Sequence, residues 1–356
     1  MVNLDSLVVH RRYDPSEMFR HLKNFPEQCH SAWDKVMNYR LPSDYDQINK
    51  VVVMGMGGSA IGGEVVSNLL MAESSVPVWV ARDFDLPHFV DDRTLVIAIS
   101  YSGNTEETLN AFQQLIKTPA KKLVLTAGGQ LAELAKKENV FFSIIDYPAP
   151  PRATFPYMFA SLVGIFNKLG LLPEKSSDMM QAISSLNQMV DEMDITVPRT
   201  SNRAKMLAEK LHDNVIVTYG AGVLTGVARR WKTQFNENSK NWAFFEVFPE
   251  LIHNAIVGYS FPSQAKKKLF TVLLRVPSLH PRIKVQYDAV IKILEENEVS
   301  YEVIDGVGEN TLAQVLGLIL LGDFTSYYLA ILNRVDPTPV SFVNFIKQYM
   351  ADYQGG

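Results

Sequence analysis

Short apolar segments without polar alternation recur along the first half of the chain, and a stretch with helical spacing follows most of them. The five segments are Val51 to Met54, Val76 to Ala81, Thr94 to Ser100, Lys122 to Thr126 and Val140 to Ile145. Strands that are apolar on both faces belong in parallel sheets, which need helices on both sides to cover them. The pattern therefore predicts an α/β unit with a parallel sheet flanked by helices.

The second half of the chain repeats this pattern in outline. Val215 to Gly222 resembles the segment at residues 51–58, because an apolar strand again leads into glycines and then into a helix. Leu269 to Val276 and Ser300 to Ile304 supply further strands. We therefore predict two similar α/β subdomains in one chain.

An N-terminal helical extension precedes the first subdomain. Met18, Leu22 and Phe25 recur at helical spacing, so we expect residues 1–47 to be helical and to serve in packing. The expected first subdomain then covers residues 48–196 and the second covers residues 197–356.

Composition excludes several classes of protein. The 356 residues include 47% hydrophobic and 20% charged residues, which is typical of a globular chain. The net charge of −4 argues against nucleic-acid binding. The seven histidines show no metal-ligand spacing, so we expect no bound metal.

The single cysteine and the apolar stretches bear on location. Cys29 cannot form an intramolecular disulfide, which favours a reducing compartment and predicts a cytoplasmic protein. Residues 1–14 carry charges and have no long apolar core, so we expect no signal peptide. The apolar run from Thr311 to Gly322 ends at Asp323 and is too short to span a bilayer, which predicts a buried helix and no membrane association.

A hydroxyl-rich turn follows the third apolar strand. Ser100, Ser102 and Thr105 fall within six positions, and a helical pattern starts directly afterwards. Backbone N–H groups at a helix start and these hydroxyls together form a donor-rich site for a phosphate group. An ST-turn with a helix cap is the simpler alternative. Because the turn has no lysine or arginine, it suits a sugar monophosphate better than a triphosphate.

A glycine-rich turn follows the first strand. Residues 55–60 fit a relaxed dinucleotide-binding fingerprint, and Asp83 follows the second strand, which keeps a nucleotide-dependent oxidoreductase as an alternative. Gly57, Gly58 and Ser59 can equally let the backbone approach a sugar phosphate. The most donor-rich turn lies after the third strand rather than the first, which favours the second interpretation.

Two polar segments stand out in the second half. Glu237 lies just beyond an amphipathic helix, and His253 lies in an otherwise apolar run. A solvated glutamate and a core histidine are the ordinary interpretations. A carboxylate and a histidine together are also what proton transfer between adjacent carbons requires.

These features together resemble the bifunctional phosphoglucose/phosphomannose isomerases, sugar-isomerase-domain (SIS) proteins of the phosphoglucose isomerase superfamily. The resemblance rests on the two turns, on Pro-Arg-Ala at residues 151–153, on Asn-Glu-Asn at 236–238 and on Pro-Glu-Leu-Ile-His-Asn from residue 249. It implies two SIS subdomains and an aldose–ketose isomerase that interconverts glucose 6-phosphate, and mannose 6-phosphate, with fructose 6-phosphate through a cis-enediol. It implies no cofactor. A non-catalytic sugar-phosphate-binding SIS protein stays a second alternative.

The resemblance also implies a role for each matching residue. Glu237 is the implied base, and Arg152 stabilises the enediolate and keeps Glu237 ionised. His253 assists ring opening from the partner subunit of a homodimer with shared active sites, and Lys347 also serves in ring opening. The implied substrate-binding residues are Gly57, Gly58, Ser59, Ser100, Ser102 and Thr105.

The chain departs from the family pattern at two positions near these residues. Ser239 and Ile252 stand where many members have alanine and asparagine. The family's dual specificity is attributed to a threonine near the C-terminus; either Thr338 serves as that residue or Val340 occupies its place. The resemblance therefore supports glucose 6-phosphate activity more firmly than mannose 6-phosphate activity.

Overall fold

Two separate parallel sheets form the frame of the molecule, which the computed structural model describes over residues 2–353. The first sheet has the strand order β2-β1-β3-β4-β5, with strands β1 (Lys50–Met54), β2 (Val78–Ala81), β3 (Thr94–Ser100), β4 (Lys121–Thr126) and β5 (Phe141–Ile144). The second has the order β7-β6-β8-β9, with strands β6 (Val215–Ala221), β7 (Ala243–Phe248), β8 (Leu269–Arg275) and β9 (Ser300–Asp305). The predicted α/β fold is confirmed.

Helices cover both sheets and fill the space between them. The α-helices in the described residues are α1 (Leu7–Tyr13), α2 (Met18–Lys23), α3 (Phe25–Met37), α4 (Gly57–Glu73), α5 (Glu106–Leu115), α6 (Gly129–Lys137), α7 (Phe155–Lys168), α8 (Ser176–Glu192), α9 (Arg203–Leu211), α10 (Thr225–Gln234), α11 (Ser263–Lys266), α12 (Pro281–Glu296), α13 (Thr311–Leu332) and α14 (Ser341–Asp352). Residue 1 of the predicted extension and residues 354–356 of the predicted second subdomain lie outside the described residues.

The predicted N-terminal extension is helical and packs against the body of the chain. Helix α3 lies along α7, and Cys29 in α3 is fully buried. Its thiol donates to the Pro156 carbonyl at 3.8 Å. Leu22 and Phe25 belong to two different helices, because the chain turns at Asn24 between α2 and α3.

Helix α13 is the central helix of the core. All of its residues from Leu312 to Leu332 are buried, and it packs against α8, α9 and α10. Its length and apolar composition would suffice to cross a bilayer, but the apolar stretch is wholly enclosed by the rest of the chain. The predicted buried helix therefore exists. It continues past Asp323, whose buried carboxylate is paired with Arg230.

The strand order places the two predicted turns side by side. From β1 the chain moves outward to β2 and then returns past β1 to β3, so the direction of winding reverses between β1 and β3. Ligands of open α/β sheets bind in the crevice at such a reversal, beyond the carboxyl ends of the strands. The glycine turn follows β1 and the hydroxyl-rich turn follows β3.

Strand β7 is a strand that was not predicted from the sequence pattern. It pairs in parallel with β6 at the edge of the second sheet, and Phe244 in it remains exposed. Helix α10 brings the chain back from the carboxyl end of β6 to the amino end of β7. Residues that follow α10, including Glu237, therefore lie at the amino edge of the second sheet.

Candidate active site

The hydroxyl-rich turn is a closed loop at the end of β3. Ser100 Oγ lies 2.9 Å from Thr105 Oγ1, and Thr105 directly precedes α5. Ser102 Oγ accepts the Asn104 N–H at 3.2 Å. Gly103 has φ +67°, and a Cβ there would lie 1.8 Å from the Gly128 carbonyl oxygen, so only glycine fits. Three hydroxyls and a helix start thus converge on one short segment.

The glycine turn contacts this loop and also the segment that carries Arg152. Gly57 has φ +49° where α4 begins. A Cβ on Gly58 would lie 3.2 Å from both the Arg152 Cα and the Pro151 carbonyl oxygen, so the two backbones touch. Ser59 Oγ accepts the Tyr101 N–H at 3.4 Å. The glycine turn therefore connects the predicted phosphate site with Arg152.

Arg152 is a buried cation whose side chain donates to two segments of the second half. It lies in a 3-10 turn at Pro151–Thr154, and its side chain is 4% exposed. Its Nε donates to Asn238 Oδ1 at 2.6 Å, and its Nη2 donates to the carbonyls of Pro337 and Thr338. Burial lowers the pKa of the guanidinium, whereas the Glu237 charge acts in the opposite direction.

Glu237 lies next to Arg152 on a widened helical turn. Residues Phe235–Ser239 form a π-helical turn that continues α10. Such turns are rare and frequently occur at functional sites. Glu237 Oε2 lies 3.7 Å from Arg152 Nη1, and the glutamate side chain is 33% exposed. The carboxylate is thus paired with a cation on one side and accessible on the other.

Asn238 and Ser239 fix the position of this turn. Asn238 Nδ2 donates to Ser326 Oγ of α13 at 2.9 Å, while its oxygen accepts from Arg152. Ser239 Oγ donates to the Phe235 carbonyl at 2.7 Å. The serine that replaces the usual alanine is therefore satisfied within the turn and leaves Glu237 in place.

A buried ion pair of Arg230 and Asp323 contacts the backbone of Arg152. Arg230 Nη2 donates to Asp323 Oδ2 at 2.6 Å and contacts the Arg152 carbonyl at 3.3 Å. The Arg230 guanidinium also lies 4.1 Å from the centre of the Phe155 ring. No role was predicted for these residues from the sequence. A carboxylate inside an apolar helix, here Asp323, is the signal that indicates a buried partner.

The comparisons with known proteins agree with the resemblance. A family model for the bacterial phospho-glucose isomerase C-terminal SIS domain matches residues 200–350, and a SIS domain model matches residues 45–162. A bifunctional phosphoglucose/phosphomannose isomerase from Caldicellulosiruptor bescii is 38% identical over 94% of this chain and 99% of that protein. The chain belongs to the bifunctional phosphoglucose/phosphomannose isomerase family. The predicted family is therefore confirmed.

Two further similarities extend across nearly the whole chain. An Aquifex aeolicus protein with the same name is 32% identical over 93% of this chain and 98% of its own length. The solved structure of a hypothetical protein from Thermus thermophilus has a TM-score of 0.72 at 15% identity, covering 98% of this chain and 94% of the other. The second similarity concerns the fold alone, which is the predicted pair of SIS domains.

Two residues with a role implied by the family are exposed and do not share the hydrogen bonds of this cluster. His253 ends the 3-10 turn Glu250–His253 and is exposed. Lys347 lies on α14, where every residue is exposed. Within residues 2–353 the side chain of neither makes a hydrogen bond or an ion pair. Ile252, which replaces the usual asparagine, packs against the core. The roles of His253 and Lys347 stay predictions.

Thr338 and Lys240 are two further neighbours of the cluster. The Thr338 carbonyl accepts from Arg152 at 2.9 Å, which puts this threonine beside the ion pair. Lys240 Nζ donates to the carbonyls of Glu237 and Pro339. From the sequence, Thr338 was one of two candidates for the specificity position, and no role was predicted for Lys240.

Proposed function

We propose that this chain interconverts glucose 6-phosphate and mannose 6-phosphate with fructose 6-phosphate. The observation that carries the proposal is the Arg152–Glu237 pair, which lies against the glycine turn of the predicted phosphate site. The names of the relatives from Caldicellulosiruptor bescii and Aquifex aeolicus support the same activity. Family membership thus favours the predicted aldose–ketose isomerase over the non-catalytic sugar-phosphate-binding protein and the oxidoreductase.

Glu237 is the proposed base. Its carboxylate takes the proton from C2 of the open-chain aldose and returns it to C1, while a proton moves from the C2 hydroxyl to the C1 oxygen. The intermediate is a cis-enediol. The reaction is internal to the substrate and therefore needs no external oxidant or reductant. The 33% exposure of Glu237 leaves room for substrate on the face opposite Arg152.

Arg152 is the proposed stabiliser of the enediolate. Its guanidinium is held by Asn238 and by two backbone carbonyls, so little reorganisation is needed when negative charge develops on the substrate oxygens. A fixed positive charge in a buried setting acts more strongly than one in water. The family resemblance implies the same role for this arginine.

The phosphate of the sugar is proposed to bind at the hydroxyl-rich turn. Ser100, Ser102 and Thr105 offer hydroxyls, and the start of α5 offers backbone N–H groups. Gly57, Gly58 and Ser59 allow a close approach of the substrate from the neighbouring turn. The same chain thus supplies the phosphate contacts and the base.

The active enzyme is proposed to be a homodimer in which His253 serves the partner's site. Supporting this, His253 is exposed, and Val257 and Phe261 near it are 78% and 84% exposed. Helix α14, which carries Lys347, exposes Phe342, Val343, Phe345, Ile346, Tyr349 and Met350. Apolar surface on this scale marks a site of protein association. The cytoplasmic location stays a prediction.

Thr338 is the proposed specificity residue, rather than Val340. The Arg152 contact holds its backbone beside the ion pair, whereas Val340 directly precedes α14. This position supports activity on both epimers, since a threonine is small enough to leave room at C2.

The test is an isomerisation assay with fructose 6-phosphate, without nucleotide and with excess chelator. Formation of both glucose 6-phosphate and mannose 6-phosphate is the expected result. Tight sugar-phosphate binding without turnover would favour the non-catalytic alternative. Turnover only after addition of a nicotinamide nucleotide would favour the oxidoreductase and overturn the proposal.

A further inference from the structure

A short segment between α13 and α14 is held by two cations at once. Arg152 donates to the carbonyls of Pro337 and Thr338, and Lys240 Nζ donates to those of Pro339, at 2.7 Å, and Pro337, at 3.3 Å. Three successive carbonyls therefore point at positive charge. We call residues 336–339 the clamped segment.

Lys240 also holds the turn that carries the proposed base. Its Nζ donates to the backbone carbonyl of Glu237, and its own backbone N–H donates to the Phe235 carbonyl. The residue has φ +60°, a left-handed conformation that ends the π-helical turn. One ammonium group thus joins the Glu237 turn to the clamped segment.

We propose that Lys240 is a positioning residue of the isomerase, which sets the distance between the Glu237 carboxylate and the clamped segment across the substrate. This inference rests on the proposed function. Lys240 contacts the base only through its backbone, so it acts by geometry. A displacement of about 1 Å in such a site can cost about 10²-fold in rate.

The surroundings of Lys240 make this role sensitive to pH. The charged groups that face its ammonium are Arg152 from the first half, Glu237 on its own turn and Asp336 in the clamped segment. Burial and the Arg152 charge lower the pKa of Lys240 to about 8. Above that pH the amine is neutral and has only two N–H groups for the three carbonyls that it contacts. It also no longer attracts these carbonyls by its positive charge.

The first test compares Lys240→Met with Lys240→Arg. We expect Lys240→Met to lower kcat roughly 10- to 100-fold with little change in KM, because the phosphate contacts are intact. We expect Lys240→Arg to recover part of the rate. The wild-type kcat should fall as the pH rises through about 8. The arginine variant should not fall there, since guanidinium stays protonated, and the methionine variant should be low and flat.

A readout independent of turnover is trypsin cleavage after Arg334, an exposed residue just before the clamped segment. Loss of the Lys240 contacts should free this segment and speed cleavage in Lys240→Met. Lys292→Met, at an exposed position of α12, is the matched control and should behave like wild type in every assay.

The outcomes separate the two proposals. An inactive wild type would refute the proposed function, and the cleavage assay would still test the clamp. With an active wild type, the inference fails if Lys240→Met keeps the kcat and the alkaline fall of wild type. It also fails if the rate drops while cleavage after Arg334 stays at the rate of the Lys292→Met control.

Discussion

The two halves of the candidate site differ in how complete they are within one chain. The phosphate half is closed: Ser100 and Thr105 contact each other, and the glycine turn contacts the same loop. The proton-transfer half is open: Glu237 has its partner Arg152, but His253 and Lys347 are exposed. Binding of the phosphate should therefore need one chain, whereas catalysis should need two.

This difference follows from where each group lies in the fold. The predicted phosphate donors lie on turns directly after β1 and β3, at the winding reversal of one sheet. The proposed base lies where the carboxyl edge of the first sheet meets the amino edge of the second. Groups of the first kind are positioned by local backbone, and groups of the second kind by contacts between distant segments.

The largest expected effect is that of Glu237→Gln on turnover. Removal of a positioned base typically costs ~10²–10⁴-fold in rate. Binding of fructose 6-phosphate, measured by calorimetry, should stay close to wild type because the phosphate half is untouched. Thermal unfolding is the control, since Arg152 loses a charged partner. More than about a tenth of the wild-type rate would exclude Glu237 as the base.

The phosphate half is tested by Ser102→Ala and Thr105→Ala. Each removes one hydrogen bond to a charged group, worth roughly 1.5–3 kcal/mol, so KM should rise about 10-fold or more in each. The kcat should change little. Inorganic phosphate should also protect the double variant against heat less than it protects wild type. Equal protection would place the phosphate site elsewhere.

Local sequence signals were enough to place the two turns of the predicted phosphate half. Gly58 and the hydroxyls from Ser100 to Thr105 follow buried strands directly, so strand prediction alone put them at the same sheet edge. The strands of the first sheet were visible because they are apolar on both faces. The exact domain boundaries remain predictions.

The supports of the proton-transfer half were not visible in the sequence. Strand β7 has the sequence Ala-Phe-Phe-Glu-Val-Phe, in which Glu246 interrupts the apolar run, and it lies between two polar segments. The Arg230–Asp323 pair and the contact of Lys240 with Pro339 join residues about 90 or more positions apart. The hydrophobic periodicity of a sequence does not indicate contacts between segments that are so far apart along the chain. Local pattern singled out Glu237 but not Arg152, and the roles of both were proposed through the family resemblance.

Subunit mixing tests the open half directly. Glu237→Gln and His253→Ala are each expected to be inactive as homodimers. If His253 serves the partner's site, a heterodimer has one doubly altered site and one intact site. Random exchange should then restore roughly a quarter of the wild-type activity per subunit. Mass spectrometry should verify the exchange; exchanged subunits with no recovered activity would contradict the shared site.

The smallest effect is expected at Thr338, where the clamped segment meets the site. Its hydroxyl is buried and has no hydrogen-bond partner within residues 2–353, so Thr338→Val should change the free energy of unfolding by less than about 1 kcal/mol. If the residue acts by its size, this change, which keeps the branched shape and removes only the hydroxyl, should also leave the ratio of mannose 6-phosphate to glucose 6-phosphate activity within about threefold.

A larger side chain at position 338 should change the ratio of mannose 6-phosphate to glucose 6-phosphate activity, unlike the valine variant. Thr338→Leu adds volume beside Arg152 and should lower the mannose to glucose ratio of kcat/KM roughly tenfold, equivalent to about 1.4 kcal/mol. Val340→Leu is the control, because Val340 lies beyond the clamped segment. A change of the ratio in Val340→Leu but not in Thr338→Leu would assign specificity to Val340. Such a result would also mean that the Arg152 contact with the Thr338 carbonyl serves the backbone alone.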